Sequence, residues 1–478
     1  MPPRNSPTCK SGLPQATAKS YNAFMKVAIL GYGEQGKSAY EYWAKAGNEV
    51  TICDEKIPSD YPKDAKTKFG ADYILDLQEF ELIVRSPGIH PQVIFEANPE
   101  HPEIKDRITT NTNEFFKVCP TKKIIGVTGT KGKGTTSTLI TKLLEAAGQK
   151  VHLGGNIGTP PLEMLKSNIA REDWVVLELA NFQTIDLKYS PPIAVCLMIT
   201  EEHLNWHKDM LEYIESKQTL FAHQTHQNYA IYNARNEYSE QIVTPSPAFK
   251  IGYDVPPEAQ EAEETRGVYV DGEKIIAYGD HVCDIGDVGL LGRHNLENVC
   301  AAISATWELI GRNKKIVKEV VKNFSGLPHR LEFVQKINDV WYIDDSFGTT
   351  PETAIVAMQA INKPKVMISG GSEKGTDYQE MVQAMMNNNV KHVVAIGQTG
   401  PKIASLISEL DQTKKIQVSQ LTMESSMDDI IKTAKQYADK GDVVLLSTGC
   451  ASFGMFANYK ERGEKFKQAV KALAPAAK

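Results

Sequence analysis

The chain alternates apolar runs with polar segments in three successive blocks, and each block has the rhythm of strand, small-residue turn and helix. The first reads KVAILGYGEQGKSAYEYWAKAGNEVTICDEK from Lys26: a short β-branched run, a glycine turn, a helical stretch, then a second strand ending at Asp54. In the second block KKIIGVTG predicts a strand and STLITKLLEAAG a helix, so the intervening loop has a strand-loop-helix setting. WVVLEL and PIAVCLMIT are near-continuous apolar runs, as expected of strands buried on both faces of a parallel sheet. The third block follows FSGLPHRLEF, whose Gly and Pro suit a hinge, and places strands in DVWYIDDS, KVMISGG, HVVAIGQTG and DVVLLSTG. The pattern therefore predicts an α/β protein in three segments, 25–111, 112–326 and 327–478. A length of 478 residues agrees, at roughly 100 to 200 residues per domain. There is no short internal repeat.

Composition narrows the partners. A formal charge of -6 and a pI near 6.1 give no basic surface for nucleic acid, which leaves small molecules. Seven cysteines without any C-x-x-C pairing suit a reducing cytoplasm. No apolar run approaches the roughly 20 residues that span a bilayer. Residues 1–24 are polar and contain Pro and Ser, which reads as a disordered leader rather than a signal peptide; Met25 directly precedes the first strand.

Two glycine loops bring in chemistry. Gly31, Gly33 and Gly36 match G-x-G-x-x-G, with Asp54 placed 18 residues on, where a ribose-binding acid lies in dinucleotide sites. A nicotinamide dinucleotide and a bare Rossmann-like turn both remain open readings of this unit. The second loop, GVTGTKGKGTTST, departs from the strict phosphate-loop pattern, because Val127 stands where the first Gly belongs and Gly134 where Ser or Thr follows the lysine. It keeps the physics: Gly129, Gly132 and Gly134 expose backbone N–H groups, Lys133 reaches terminal phosphates, and Thr135 offers a hydroxyl to magnesium one position late. Ligands of open α/β sheets sit beyond the carboxyl ends of the strands. Glu178 ends one such strand, and Thr200, Glu201, Glu202 and His203 follow another. Lys217, on pattern alone, is a solvent-facing helix lysine.

The chain passes in order through the motifs GTKGKGTT, GGNIG, LELANFQ, TEEHLNWH, ESK, GRHNLENVCAA, GLPHRLEFV, DDS and GCASFGMFANYKERG, the first of which begins at Gly129. Together they resemble the ATP-dependent Mur ligases of peptidoglycan synthesis, with folylpolyglutamate synthetase as a cousin that shares the GKG loop form. The similarity runs from about Met25 to the carboxyl end. RSPGI, GGNIG, GLPHR and CASF point within that family to the branch that adds D-glutamate to UDP-N-acetylmuramoyl-L-alanine. The resemblance implies a three-domain Mur ligase architecture: a Rossmann-like amino-terminal domain, a central P-loop ATPase-like parallel sheet, and a Rossmann-like carboxyl-terminal domain.

It also implies roles. The first domain would hold UDP instead of a dinucleotide, through Gly33, Asp54, Ser86 and Gly88, with Asn156 and Gln183 near the muramoyl part. ATP would be bound by Gly129, Thr130, Lys131, Gly132, Lys133, Gly134, Thr135 and Thr136, by Asn295 and Asn298, and by Arg330 and Asp345, the pair that closes the third domain, with His329 beside them. Thr135 and Glu178 would hold one Mg²⁺ and His203 a second, while Lys217 matches a lysine carbamoylated by CO₂; Lys133, His203 and Lys217 are the catalytic set. Thr349, Lys374, Ser452 and Tyr459 would receive D-glutamate. Two departures bear on specificity: Phe347 stands where a lysine is common, and Ala180 and Asn181 replace a pair of serines. The expectation is an acyl-phosphate mechanism in a cytoplasmic monomer. The rivals are another Mur ligase or an L-glutamate-adding variant, a folate-type ligase, and a non-catalytic nucleotide-binding relative.

Overall fold

The first apolar run, Lys26–Leu30, becomes the middle strand of a five-stranded parallel sheet. Its neighbours are Glu49–Asp54 and Leu82–Arg85, flanked by Lys66–Phe69 and Ile108–Thr109. Alternation along this strand feeds two cores. Val27 and Ile29 pack with Ala39 and Trp43 of the helix Glu34–Lys45, whereas Ala28 and Leu30 pack with Ile83, Ile94 and Ile104. The helix starts hard against the loop, since a Cβ on Gly36 would sit 2.0 Å from the Gly31 carbonyl oxygen. The computed structural model describes residues 24–254, 267–290, 292–373, 375–413 and 415–473, so the leader through residue 23 and Lys374 lie outside the described residues. Two compact units divide at Glu114 and Phe115.

The second unit holds two further sheets. In the larger, the strand Ile124–Thr128 lies between Trp174–Glu178 and Ile193–Cys196, all parallel. Val151–Gly155 edges one side, and Tyr229–Asn233, Phe249–Tyr253 and Gly267–Asp271 extend the other before the antiparallel strands Lys274–Ala277 and Asp280–Asp284. Every residue of Ile124–Thr128 is buried. The helices Lys133–Ala146 and Arg293–Thr306 share its core through Leu139, Ile140, Leu143, Val299, Cys300 and Ile303.

The third sheet runs in the order Glu332–Ile337, Val340–Asp344, Val443–Leu446, Lys365–Gly371, Val390–Gly397 and Gln417–Gln420. Helices cover both faces. Ala357, Met381, Val382 and Ile403 pack on one side; Ile430, Ile431, Phe466 and Val470 pack on the other. The four apolar runs read from the sequence here are its central strands. The edge strands Glu332–Ile337 and Gln417–Gln420 were not anticipated, because each is half exposed and lacks a continuous apolar run.

Arg462, 0% exposed on the helix Tyr459–Ala472, ties this sheet's loops together. Its guanidinium donates to Ser346 Oγ at 2.9 Å, to the Ser346 carbonyl at 2.7 Å and to the Cys450 carbonyl at 3.0 Å. Arg462→Met keeps the chain length and deletes every donor. We expect it to cost about 3 kcal/mol through the stranded acceptors, read as a lower urea midpoint for the second unit with intact secondary structure.

Candidate active site

The loop after Ile124–Thr128 is shaped by glycine. Gly132 has φ +87°, and a Cβ there would lie 2.2 Å from Asn298 Oδ1, so the loop closes directly on the helix Arg293–Thr306. Thr136 Oγ1 donates to Asn298 Oδ1 at 3.2 Å, and Asn298 Nδ2 donates to Asn295 Oδ1 at 3.0 Å. Lys133 opens the helix and turns back on the loop, donating to the carbonyls of Gly129 at 3.0 Å and Thr130 at 2.9 Å. Burial holds its ammonium below the ordinary range, opposed by Glu178 and Glu202. The amino terminus of the helix Lys133–Ala146 and this amine lie together, a setting that favours an anion, while the Thr130 N–H is taken by the Met198 carbonyl at 3.0 Å. Lys131 is exposed, while Gly134, Thr135 and Thr136 are buried.

Lys217 is not a solvent-facing lysine. Its helix, Met210–Ala222, buries Tyr213, Ile214, Leu220 and Phe221, and Lys217 occupies the same stripe at helical spacing, 0% exposed. Nζ donates to the Gly129 carbonyl at 3.2 Å and lies 4.5 Å from the centre of the Tyr213 ring. Burial, and then the charge of Lys133, push its pKa down to about 7. Tyr213 itself carried no functional reading in the sequence. Its hydroxyl lies 2.9 Å from Thr130 Oγ1, which also accepts the Thr200 N–H at 3.0 Å and donates to the Thr200 carbonyl at 3.1 Å. Thr130 has one proton to give, so the Tyr213 hydroxyl donates to it, and this part of the loop is fully satisfied.

Glu178 reaches the same place because its strand pairs with the loop's strand in register, Val127 opposite Glu178. Asn156 fixes the carboxylate, with Nδ2 to Oε1 at 2.9 Å, and its N–H donates to the Glu178 carbonyl at 2.8 Å. Oε2 lies 3.2 Å from where a Cβ of Gly134 would stand, against the first turn of the loop helix. His203, at φ +60°, lies 4.8 Å from the Phe182 ring, and its Nε2 is 3.6 Å from Glu202 Oε2. Burial keeps its imidazole below the usual value, against the pull of Glu202. Gln183 is 1% exposed, and its Nε2 is buried without a hydrogen-bond partner among the described residues. Asn181 is occupied: its Nδ2 lies 2.8 Å from His207 Nε2, and both side chains are buried.

The third sheet supplies another wall. Arg330 and Asp345 do not pair with each other. Asp345 accepts from Ser447 Oγ at 2.7 Å and from the Leu331 N–H at 3.2 Å, while the Arg330 guanidinium lies 3.9 Å over the Phe347 ring. Burial holds the Arg330 pKa below its usual value, opposed by the charges of Glu178 and then Asp345. His329 Nδ1 is 2.7 Å from Asp344 Oδ2. Of the amino-acid residues expected here, Thr349 is half-buried, Ser452 is buried, and Tyr459 stands edge-on to Phe347 at 5.0 Å.

In the first unit, three strand ends converge. Tyr32 N–H donates to Asp54 Oδ2 at 2.7 Å, Ser86 Oγ donates to the Gly31 carbonyl at 2.8 Å, and Gly31 N–H donates to the Cys53 carbonyl at 2.8 Å. Gly33 begins the helix, and Gly88 follows Ser86 in the turn after Leu82–Arg85. Strand order reverses at Lys26–Leu30, so this cluster lies at the topological switch point of the sheet.

The donor chemistry of the second unit suits magnesium and phosphate: a carboxylate, a threonine hydroxyl and an imidazole face an amine-bearing glycine loop. Lys217 as a plain amine does not bind magnesium, and would join that set only as an oxygen anion.

A profile of the Mur ligase middle domain matches residues 127–306, and one of the Mur ligase glutamate ligase domain matches 329–450. The UDP-N-acetylmuramoylalanine--D-glutamate ligase of Clostridium kluyveri is 31% identical over 463 residues, covering 95% of this chain and 98% of the relative. That of Clostridium tetani is 32% identical over 474 residues, covering 95% and 100%. Among solved structures, the UDP-N-acetylmuramate-alanine ligase MurC of Thermotoga maritima aligns at TM-score 0.55 and 15% identity, over 94% of this chain and 100% of that one. A MurF of Acinetobacter baumannii aligns at 0.56 and 16%, over 96% and 95%. Fold and site thus define an ATP-dependent α/β ligase. The chain belongs to the Mur ligase family, in which its two clostridial relatives bear the name of the D-glutamate-adding enzyme.

Asp345 yields a pH prediction. Burial pushes its carboxyl up to about 7, against the hydrogen bond from Ser447. The folded state therefore holds a proton that the unfolded chain releases near pH 4, and stability from this group is lost as pH rises from about 4 to about 7. Asp345→Asn removes that loss. Calorimetry should find the variant more stable than the parent by about 4 kcal/mol at pH 8 and equal to it near pH 4.

Proposed function

We propose that the protein adds D-glutamate to UDP-N-acetylmuramoyl-L-alanine, with ATP activating the terminal carboxylate as an acyl phosphate. The observation that carries this reading is the convergence of Lys133 and Lys217 on one loop carbonyl, beside Glu178 at the neighbouring strand end. In the first step a carboxylate oxygen of the substrate attacks the γ-phosphorus of ATP, the bond to the bridging oxygen breaks, and ADP leaves. The amine of glutamate then attacks the acyl carbon; the C–N bond forms, the amine gives up a proton, and inorganic phosphate departs. Two cations face the phosphates: Lys133 from the loop and Arg330 from the third sheet.

Glu178 and Thr135 would hold one magnesium ion and His203 a second, and bound magnesium would neutralise charge on the transferring phosphate. Asn156 orients the Glu178 carboxylate for that task. With a pKa near 7, Lys217 presents a neutral amine to CO₂ in ordinary buffer. Addition there forms an N–C bond and expels a proton, which turns a cation that repels Lys133 into an anion. In the first unit, the Gly31, Asp54 and Ser86 cluster at the switch point supports a nucleotide diphosphate, read as UDP. The buried Gln183 Nε2, without a partner among the described residues while Oε1 accepts from the Ala180 N–H at 3.1 Å, supports a polar sugar contact.

The test supplies ATP, magnesium and UDP-N-acetylmuramoyl-L-alanine with D-glutamate, L-glutamate, lysine or diaminopimelate in separate reactions, and identifies products by mass and chirality. We expect the D-glutamyl product alone. ATP turnover that needs neither acceptor nor amine would overturn the ligase reading, and an L-glutamyl product would reassign the stereochemistry. Lys133→Ala should lower kcat about 10²- to 10³-fold. Removing dissolved CO₂ should lower the rate and bicarbonate restore it, whereas Lys217→Met should respond to neither.

A further inference from the structure

Phe347 is a large aromatic side chain left 37% exposed, with no place in either core of the third sheet. Its setting is nevertheless well defined. The Phe347 N–H donates to the His329 carbonyl at 2.9 Å, and His329 is itself held by Asp344 through Nδ1 and by Glu332 through its own N–H at 2.8 Å. Tyr459 braces the ring edge-on, with planes at 79°. The Arg330 guanidinium lies over the ring, with Cζ 3.9 Å from its centre.

We propose that Phe347 is a positioning residue: by stacking on Arg330 it fixes the plane of that guanidinium and leaves its N–H edge directed to the terminal phosphate of the nucleotide. The proposal rests on ATP being the nucleotide of the second unit. Three observations support it. Asp345, the adjacent carboxyl, is taken by Ser447 and the Leu331 N–H, so no bidentate acid orients Arg330. Face-on stacking occupies the π surface of a guanidinium and none of its five in-plane donors. Burial lowers the Arg330 pKa, and Glu178 and then Asp345 are the acids that oppose this, so the guanidinium lies within the field of the strand end that carries Glu178. A lysine at position 347 would add a second charge beside Arg330 and could not serve as a platform.

The experiment compares F347L, F347W and F347K, alone and combined with R330Q, by MgATP titration calorimetry and by ligase kinetics. F347L keeps apolar bulk without a π face. We expect it to weaken MgATP binding about 3- to 30-fold, with the KM for the amino acid unchanged, while F347W retains parental binding and F347K does not. In the R330Q background the Leu substitution should have no further effect. Parental MgATP affinity in F347L, or an undiminished F347L effect in the R330Q background, overturns the proposal; the second result would assign the ring a structural role. Wild-type protein that binds MgATP and forms no amide sinks the ligase reading alone. Wild-type protein that fails to bind MgATP sinks both.

Discussion

Two amines share one carbonyl oxygen. Lys133 approaches Gly129 from the helix that follows the loop, and Lys217 approaches it from a helix 88 residues further along the chain. The oxygen has two lone pairs and both are used, so the loop is held from two directions. Two neighbouring amines in a buried setting also repel. That arrangement is tolerable when an anion lies between them, or when one amine gives up its charge. The depressed pKa of Lys217 moves toward the second of these.

The rest of the second unit serves this arrangement. Parallel strand order brings the ends of Trp174–Glu178, Ile124–Thr128 and Ile193–Cys196 side by side, so a carboxylate, a phosphate loop and the segment carrying His203 emerge at one edge. Thr130 links the loop to Thr200 and Tyr213, which ties the His203 segment and the Lys217 helix to the same backbone. On the third sheet, the Asp345 carboxyl is kept in a buried setting that raises its pKa, and the Arg330 guanidinium is held over a ring instead of by an acid partner.

Much of this was legible in the residues. Continuous apolar runs announced the buried central strands, and the glycine spacing around Lys133 announced the loop, because both depend on local periodicity and local backbone freedom. Half-exposed edge strands escaped, since their alternation is diluted by solvent-facing residues. Lys217 was misleading by type, as a lysine reads as solvent-facing. The signal was nonetheless present: Tyr213, Ile214, Leu220 and Phe221 mark a stripe at helical spacing, and Lys217 falls within it.

Sequence alone determined the α/β class, the strand-loop-helix geometry at Gly129 to Lys133 and the list of side chains able to do phosphate chemistry, because each of these is encoded by residues close together in the chain. Which of those side chains meet was decided only by the tertiary structure. The sharing of the Gly129 carbonyl, the clamp of Asn156 on Glu178, and the exchange in which Asp345 takes Ser447 while Arg330 takes Phe347 join residues far apart in the chain. Tertiary packing supplies the electrostatics as well: burial first, and then a neighbouring like charge, Lys133 for Lys217 and Asp344 for Asp345, moves both toward neutrality.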